Sequence, residues 1–205
     1  MLNRRSAVGG QVLRVQTASG PLGELFLPVF GEHMAHNAAQ AVAAVEALTG
    51  PLQPAIIEQG LTAVEAPARL EVVRRSPLVI LDTFHNPHGA ASAMAGVRES
   101  FEVEPLIAVV AAMADKDIDG VLAVLSDTVS HLVVTSMPDL SRALSVDELA
   151  EKASSHWDSD HVTCVADVPE ALEEAFRIAD SYAPGAGVLI AGSVVLAGRA
   201  LSLIH

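Results

Sequence analysis

The chain from Arg69 onward alternates short, continuous apolar runs with amphipathic segments. The apolar runs lack the polar alternation of a half-exposed strand, which is typical of strands buried on both faces of a sheet. They occupy Leu78–Leu81, Leu106–Ala111, His131–Thr135, His161–Val165 and Val188–Ala191, with Leu70–Val73 as a possible extra edge strand. The helical segments between them occupy Gly89–Phe101, Ile118–Leu125, Val146–Ser154, Pro169–Tyr182 and Val194–Leu203. Because such crossovers are right-handed, this order predicts an α/β fold with a mostly parallel, doubly wound, Rossmann-like sheet.

The first 66 residues follow a different pattern. Residues Gln11–Val29 alternate apolar and polar side chains around a glycine-proline turn, which indicates a β-hairpin. An alanine-rich helix is predicted over His33–Thr49 and a shorter helix over Pro54–Ala63. The proline-containing stretch Glu65–Arg69 has the character of a linker. We therefore predict two parts, residues 1–66 and residues 67–205.

Composition excludes several classes of protein. The formal net charge of −13 and the presence of only two lysines argue against a nucleic-acid partner, because a phosphate backbone is repelled by such a chain. No uncharged apolar run reaches the roughly 18 residues of a membrane span. The basic N-terminus has no apolar region behind it, so the expected location is the cytoplasm. The single cysteine, Cys164, lies in an apolar run and is predicted to be a buried, inert thiol.

Ligands of open parallel sheets bind at the loops that follow the carboxyl ends of the strands. The first of these loops begins with Asp82 and contains His85. An aspartate there can accept hydrogen bonds from sugar hydroxyls or help to hold a metal, and a histidine can donate, accept or carry charge near neutral pH. Two interpretations stay open from the residues alone. The loop is either a ligand site, or a turn in which Asp82 only caps the next helix and His85 packs locally.

Three later loops hold further candidates. Lys116 can steer an anion, or it is a solvated residue between two aspartates. The planar guanidinium of Arg142 suits a carboxylate or a phosphate. Gly192 allows the backbone to approach a ligand, and Ser193 opens a helix whose N-terminus attracts anions. Each of these signals is weak when taken alone.

Familiar phosphate and metal motifs are absent from the 205 residues. Neither Lys116 nor Lys152 follows a glycine, so no Gly-x-x-x-x-Gly-Lys-Ser/Thr loop exists. No Gly-x-Gly-x-x-Gly fingerprint follows a strand. His33 and His36 are three residues apart on one helix, but no convincing third ligand accompanies them, so no metal site is predicted within this sequence.

Taken in order, several segments resemble the dihydrofolate synthase/folylpolyglutamate synthase group of the Mur ligase family. They are Gly31–Ala39, Pro67–Arg69, Asp82–Pro87, Met113–Asp117, Arg142–Ala143 and Gly192–Ser193. The resemblance covers nearly the whole chain. It implies that residues 1–66 are the closing part of a central ATPase domain and residues 67–205 a glutamate-ligase C-terminal domain. The family's phosphate-binding loop and most of its magnesium ligands are expected upstream of Met1.

The resemblance also implies roles for individual residues. In the family, the asparagine that matches Asn37 contacts adenine, and the arginine that matches Arg69 reaches the phosphates of ATP. The aspartate matching Asp82 meets the ribose hydroxyls. The histidine and serine matching His85 and Ser193 lie by the incoming amino acid. Lys116 and Arg142 complete the candidate set, Lys116 as a catalytic residue beside His85 and Arg142 as a substrate-binding residue.

The implied reaction uses ATP and Mg²⁺ to convert a pteroate or folate carboxylate into an acyl phosphate, which the amino group of L-glutamate attacks to form an amide. This chain by itself is expected not to catalyse the reaction. Alternatives are a non-catalytic binding module that kept the α/β scaffold, and a related ligase for another acidic substrate. Phe84, Ala68 and Met34 depart from the family's usual alanine, glycine and glutamine. The ring of Phe84 is expected to shift His85 or to narrow the glutamate pocket.

Overall fold

A computed structural model describes residues 1–137, 139–182 and 184–204. The chain divides into two compact units. One consists of Met1–Pro67 with Ala95–Ser100, and the other of Ala68–Met94 with the rest of the described chain. No helix in these ranges is both long enough and apolar enough to cross a lipid bilayer.

The first unit contains a three-stranded antiparallel sheet in the order β1–β2–β3 and two helices. The strands are β1 (Asn3–Ala7), β2 (Gly10–Thr17) and β3 (Gly20–Leu27), and the helices are α1 (Glu32–Thr49) and α2 (Pro54–Thr62). Buried leucines and valines of β2 and β3 pack against the buried alanines of α1. The predicted hairpin and both helices are confirmed. Strand β1 is missing from the sequence prediction because Asn3–Ala7 has no apolar alternation.

The second unit contains a six-stranded sheet in the order β4–β5–β9–β6–β7–β8. Its strands are β4 (Arg69–Arg75), β5 (Leu78–Asp82), β6 (Leu106–Val110), β7 (Val129–Val134), β8 (Val162–Cys164) and β9 (Gly187–Ala191). All neighbouring strands are parallel except β4, which pairs antiparallel with β5 at one edge. The predicted mostly parallel α/β sheet and its extra edge strand are confirmed.

The helices are α3 (Pro87–Ser100), α4 (Ile118–Ser126), α5 (Val146–Ala153), α6 (Val168–Ser181) and α7 (Val194–Ile204). Side chains of α6 and α7 form one core cluster with alternate residues of the strands, such as Ile107, Val109 and Val188. The intervening strand residues Ala108 and Leu189 are also fully buried. Both faces of the central strands are therefore covered, which explains their continuous apolar sequences.

The prediction for Cys164 is wrong in one respect, because the residue is exposed. Strand β8 has only three residues and forms an edge of the sheet, so it lacks the second neighbour that covers the central strands. Partial burial of the sulfur nevertheless raises the pKa of the Cys164 thiol, and Asp147 adds to this effect. The thiolate fraction at neutral pH is accordingly small.

Candidate active site at the carboxyl edge of the sheet

Four loops meet at the carboxyl edge of the parallel strands. An ideal Cβ on Gly120, at the start of α4, would lie 2.5 Å from Cγ of Pro87, so the segments after β5 and β6 touch. A Cβ on Gly192 would lie 2.5 Å from the carbonyl oxygen of Ala111, so the loops after β9 and β6 also touch. The N–H of Ala114 donates to the carbonyl of Arg142 at 2.8 Å, so the loops after β6 and β7 are joined as well. The predicted residues of this unit thus lie along one edge.

Asp82 ends β5 as a buried carboxylate. Its Oδ1 accepts the N–H of Phe84 at 2.8 Å, and its Oδ2 accepts the N–H of Leu70 at 3.0 Å. Burial raises the pKa of Asp82, although both backbone hydrogen bonds and the charge of Arg69 act in the opposite direction. Each carboxylate oxygen has a second lone pair, so the group can accept further hydrogen bonds from a ligand.

The next helix is capped by another residue. Oδ1 of Asn86 accepts the N–H of Gly89 at 2.8 Å, and the carbonyl of Asn86 accepts the N–H of Ala90 at 3.0 Å. Asn86 stands directly before Pro87 at the first helical position, where proline is favoured. The interpretation of Asp82 as the cap of α3 is therefore wrong. Its carboxylate instead accepts N–H groups from the loop after β5 and from the adjacent strand β4.

His85 is exposed at this edge, whereas its neighbour Phe84 is only 4% exposed. Nδ1 of His85 lies 3.2 Å from the carbonyl of Thr83. In the tautomer that donates to this carbonyl, Nε2 is left as an acceptor directed away from that bond. The side chain of Phe84 is buried, whereas the imidazole of His85 is exposed. Its expected effect on a glutamate pocket stays a prediction.

Lys116 and Arg142 are brought together by one carboxylate. Lys116 Nζ lies 3.2 Å and Arg142 Nη1 lies 3.3 Å from Oδ2 of Asp115. The hydrogen bond from Lys116 lowers the pKa of Asp115, and the charge of Arg142 contributes further. Asp117 instead caps α4, because its Oδ1 accepts the N–H of Gly120 at 3.0 Å. Because these ion pairs are exposed to solvent and therefore weak, a substrate carboxylate can compete with Asp115 for both cations.

Gly192 and Ser193 join β9 to α7. Gly192 has a φ of 98°, a conformation that favours glycine. Ser193 is 5% exposed, and its Oγ accepts the N–H of Val195 at 3.2 Å. The serine therefore caps the start of α7, and its hydroxyl hydrogen remains available for donation.

Arg69 opens β4 and pairs with Asp82 across the antiparallel ladder. Its side chain is exposed, and its two neighbours are both in the left-handed region, with φ values of 51° for Ala68 and 49° for Leu70. Glycine is favoured at such an angle, whereas both of these residues carry a side chain. The sequence carries no sign of this conformation, because neither position is a glycine.

The remaining predicted residue, Asn37, is exposed on α1 of the first unit. On the same helix, Nε2 of His36 lies 3.6 Å from Oε1 of Glu32. Within the described residues, no group of three or more histidine, cysteine, aspartate or glutamate side chains is placed to hold a metal ion.

The amino-acid sequence of this chain is similar to those of known proteins. Residues 68–194 match the family model "Mur ligase, glutamate ligase domain". The chain is 37% identical to the dihydrofolate synthase/folylpolyglutamate synthase of Mycobacterium tuberculosis, over 99% of this chain and 45% of that protein. The chain thus spans about half the length of this curated relative.

Solved structures extend the comparison. A Mycobacterium tuberculosis folylpolyglutamate synthase complexed with ADP and AMPPCP superposes with a TM-score of 0.95 and 38% identity, over 99% of this chain and 47% of that one. The bifunctional folylpolyglutamate synthase/dihydrofolate synthase of Yersinia pestis, complexed with AMPPNP and a manganese ion, has a TM-score of 0.73 and 28% identity, over 92% and 42%. The family thus binds ATP analogues and a divalent metal. This chain belongs to the Mur ligase family, with a glutamate ligase domain over residues 68–194.

Proposed function

We propose that these residues form the glutamate-ligase side of an ATP-dependent ligase that adds L-glutamate to a dihydropteroate or folate carboxylate. The observation that carries this proposal is the single sheet edge at which Arg69, Asp82, His85 and Ser193 are grouped with the Lys116–Arg142 pair. This edge combines cations for anionic substrates with hydrogen-bonding groups for a sugar and an amine. The proposed substrate class is that of the similar dihydrofolate synthase/folylpolyglutamate synthase.

In the proposed reaction, the substrate carboxylate attacks the γ-phosphorus of ATP, and ADP leaves. The resulting acyl phosphate is then attacked by the amino group of L-glutamate. The amide bond forms as the carbon–oxygen bond to phosphate breaks, and the amine loses a proton. Phosphorylation provides a good leaving group, and exclusion of water protects the labile intermediate.

On the nucleotide side, the guanidinium of Arg69 balances phosphate charge, because arginine can bind phosphate through two parallel hydrogen bonds. The remaining lone pairs of Asp82 accept the ribose hydroxyls.

On the amino-acid side, His85 accepts the proton of the attacking amine through its free ring nitrogen. Ser193 donates its hydroxyl hydrogen to the amino acid, while Lys116 and Arg142 bind its carboxylates. A bound Mg²⁺ would neutralise charge on the phosphates. Among the described residues, no group of three or more histidine, cysteine, aspartate or glutamate side chains is placed to hold it.

The test is the incorporation of labelled L-glutamate by the full-length protein, with dihydropteroate and reduced folate as separate acceptors. We expect an ATP-dependent amide product and one phosphate released per amide. Arg69→Ala and Asp82→Ala should lower the rate sharply while the proteins stay folded. The 205-residue chain alone should form no amide, because it lacks a phosphate-binding loop sequence. Absence of product with both acceptors, together with turnover of a different acidic acceptor, would refute the substrate class.

A further inference from the structure

The segment Ala68–Leu70 is tied to its surroundings by hydrogen bonds at nearly every peptide group. The N–H of Ala68 donates to Oε2 of Glu71 at 2.7 Å. The carbonyl of Ala68 accepts the N–H of Thr83 at 3.0 Å and lies 3.3 Å from the Thr83 hydroxyl that also donates to it. Leu70 donates its N–H to Asp82 at 3.0 Å. Side chains from two strands therefore fix the backbone on both sides of Arg69.

These hydrogen bonds hold the backbone in an unfavourable conformation. Ala68 and Leu70 have φ values of 51° and 49°. For residues with a side chain the left-handed conformation is unfavourable, so it persists only where the surroundings enforce it. A free segment would relax to ordinary extended or right-handed angles and redirect the side chain of Arg69.

Glu71 differs from the anchoring residue Asp82 in having no proposed contact with substrate. Its side chain projects from β4, which pairs with β5 through Glu71 and Leu81. The residue is only partly buried, and its carboxylate reaches back three residues to the Ala68 amide. A hydrogen bond to a charged acceptor is stronger than one between neutral groups. Glu71 is therefore well placed to hold the first of the two left-handed residues.

We propose that Glu71 is a positioning residue for Arg69, acting through the Ala68 amide to keep the guanidinium at the carboxyl edge of the sheet. The proposal rests on the proposed function in one respect, since it takes Arg69 as the group that meets the phosphates of ATP. It does not require Glu71 to touch any substrate.

The kinetic test uses the full-length protein. Glu71→Ala should lower kcat by about tenfold, as expected for the loss of one charge-assisted hydrogen bond, while KM for glutamate changes little. Glu71→Gln keeps an oxygen acceptor for the Ala68 N–H and should restore most of the activity. The double variant Glu71→Ala/Arg69→Ala should be no slower than Arg69→Ala alone, because the two residues act as one unit. The exposed Glu65 gives a matched control, and Glu65→Ala should have wild-type kinetics.

Three kinetic results would overturn the proposal. The first is a double variant whose loss equals the product of the single losses, which would mean that Glu71 acts independently of Arg69. The second is Glu71→Ala with wild-type kcat beside an inactive Arg69→Ala. The third is an equal loss in Glu71→Ala and Glu71→Gln, since the acceptor oxygen would then be irrelevant.

A second readout needs no activity and separates this proposal from the proposed function. In the 205-residue chain, the Ala68 amide proton should exchange slowly with solvent in the wild type and in Glu71→Gln, and distinctly faster in Glu71→Ala, because that variant has lost the acceptor of the Ala68 N–H. Equal exchange rates in all three proteins would refute the contact. If the full-length protein has no ligase activity but the Ala68 amide loses protection in Glu71→Ala, the proposed function fails and the contact stands.

Discussion

Replacement of Gly192 by alanine should destabilise the second unit severely. The residue has a φ of 98°, and an added Cβ would lie 2.5 Å from the carbonyl oxygen of Ala111 and 3.0 Å from Cγ1 of Val110. A non-glycine residue in such a conformation costs on the order of 1–3 kcal/mol. Displacing a buried neighbouring strand adds about 1–3 kcal/mol of overpacking. We therefore expect Gly192→Ala to lower the free energy of unfolding by about 4 kcal/mol.

The assay is urea unfolding followed by the fluorescence of the single tryptophan, Trp157. This side chain is 9% exposed, and its Nε1 donates to the carbonyl of Val129 at 2.9 Å, so its emission reports the second unit. With a slope of about 2–3 kcal/mol per molar urea, the midpoint should fall by roughly 1.5 M.

Gly198 provides the matched control on the same helix that Gly192 precedes. A Cβ on Gly198 meets no atom within 4 Å. Gly198→Ala should therefore raise stability by about 0.5–1 kcal/mol, since alanine is the better helix former. A loss of less than about 1 kcal/mol in Gly192→Ala, or an equal loss in both variants, would show that the steric argument is wrong.

Three further predictions concern single side chains. Because burial raises the folded-state pKa of Asp82, its contribution to stability should be fully present below about pH 3.9 and decline as pH rises through the raised pKa. The free energy of unfolding, measured in urea between pH 4 and 7, should show this decline in the wild type but not in Asp82→Asn. The same pH dependence in both proteins would contradict the prediction. Asn86→Ala should cost about 1 kcal/mol in urea unfolding through loss of the α3 cap, unlike Ser92→Ala within the helix. A thiol reagent should label the exposed Cys164 in the folded chain, faster at higher pH, whereas labelling only after unfolding would refute its exposure.

The fold of the second unit was readable from sequence because its central strands are buried on both faces. Continuous apolar runs such as Leu106–Ala111 can satisfy that environment and few others. The edges were less readable. Strand β1 carries mostly polar residues and so gives no apolar pattern. The predicted burial of Cys164 would require a second neighbouring strand, which the edge strand β8 lacks.

The site was readable in part. Asp82 and Ser193 follow apolar runs, so their position at the carboxyl edge follows from parallel strand order. Their local hydrogen bonds could not be foreseen. Asp82 holds Leu70 across the antiparallel ladder, and Glu71 holds Ala68 in a left-handed turn that contains no glycine. Such contacts depend on tertiary structure and leave no periodicity in the sequence.

The placement of Asp82 gives one residue two tasks. Its carboxylate fastens backbone groups on both sides through Phe84 and Leu70, and under the proposed function it also accepts the ribose hydroxyls. Removal of the carboxylate should then affect stability and nucleotide affinity together. By contrast, His85 is exposed and makes one local contact, so its substitution should leave stability nearly unchanged.

The central claim is that the carboxyl edge of the sheet serves the amine-attack half of the reaction. The most direct measurement uses the full-length protein with hydroxylamine, which traps an acyl phosphate as a hydroxamate, and compares hydroxamate with glutamyl amide in His85→Ala. The exposed His88 supplies the control, His88→Ala. We predict that His85→Ala keeps ATP-dependent hydroxamate formation while amide formation falls by at least about a hundredfold, the lower end of the usual range for general-base loss. Equal loss of both products, or amide formation at the wild-type rate, would contradict the claim.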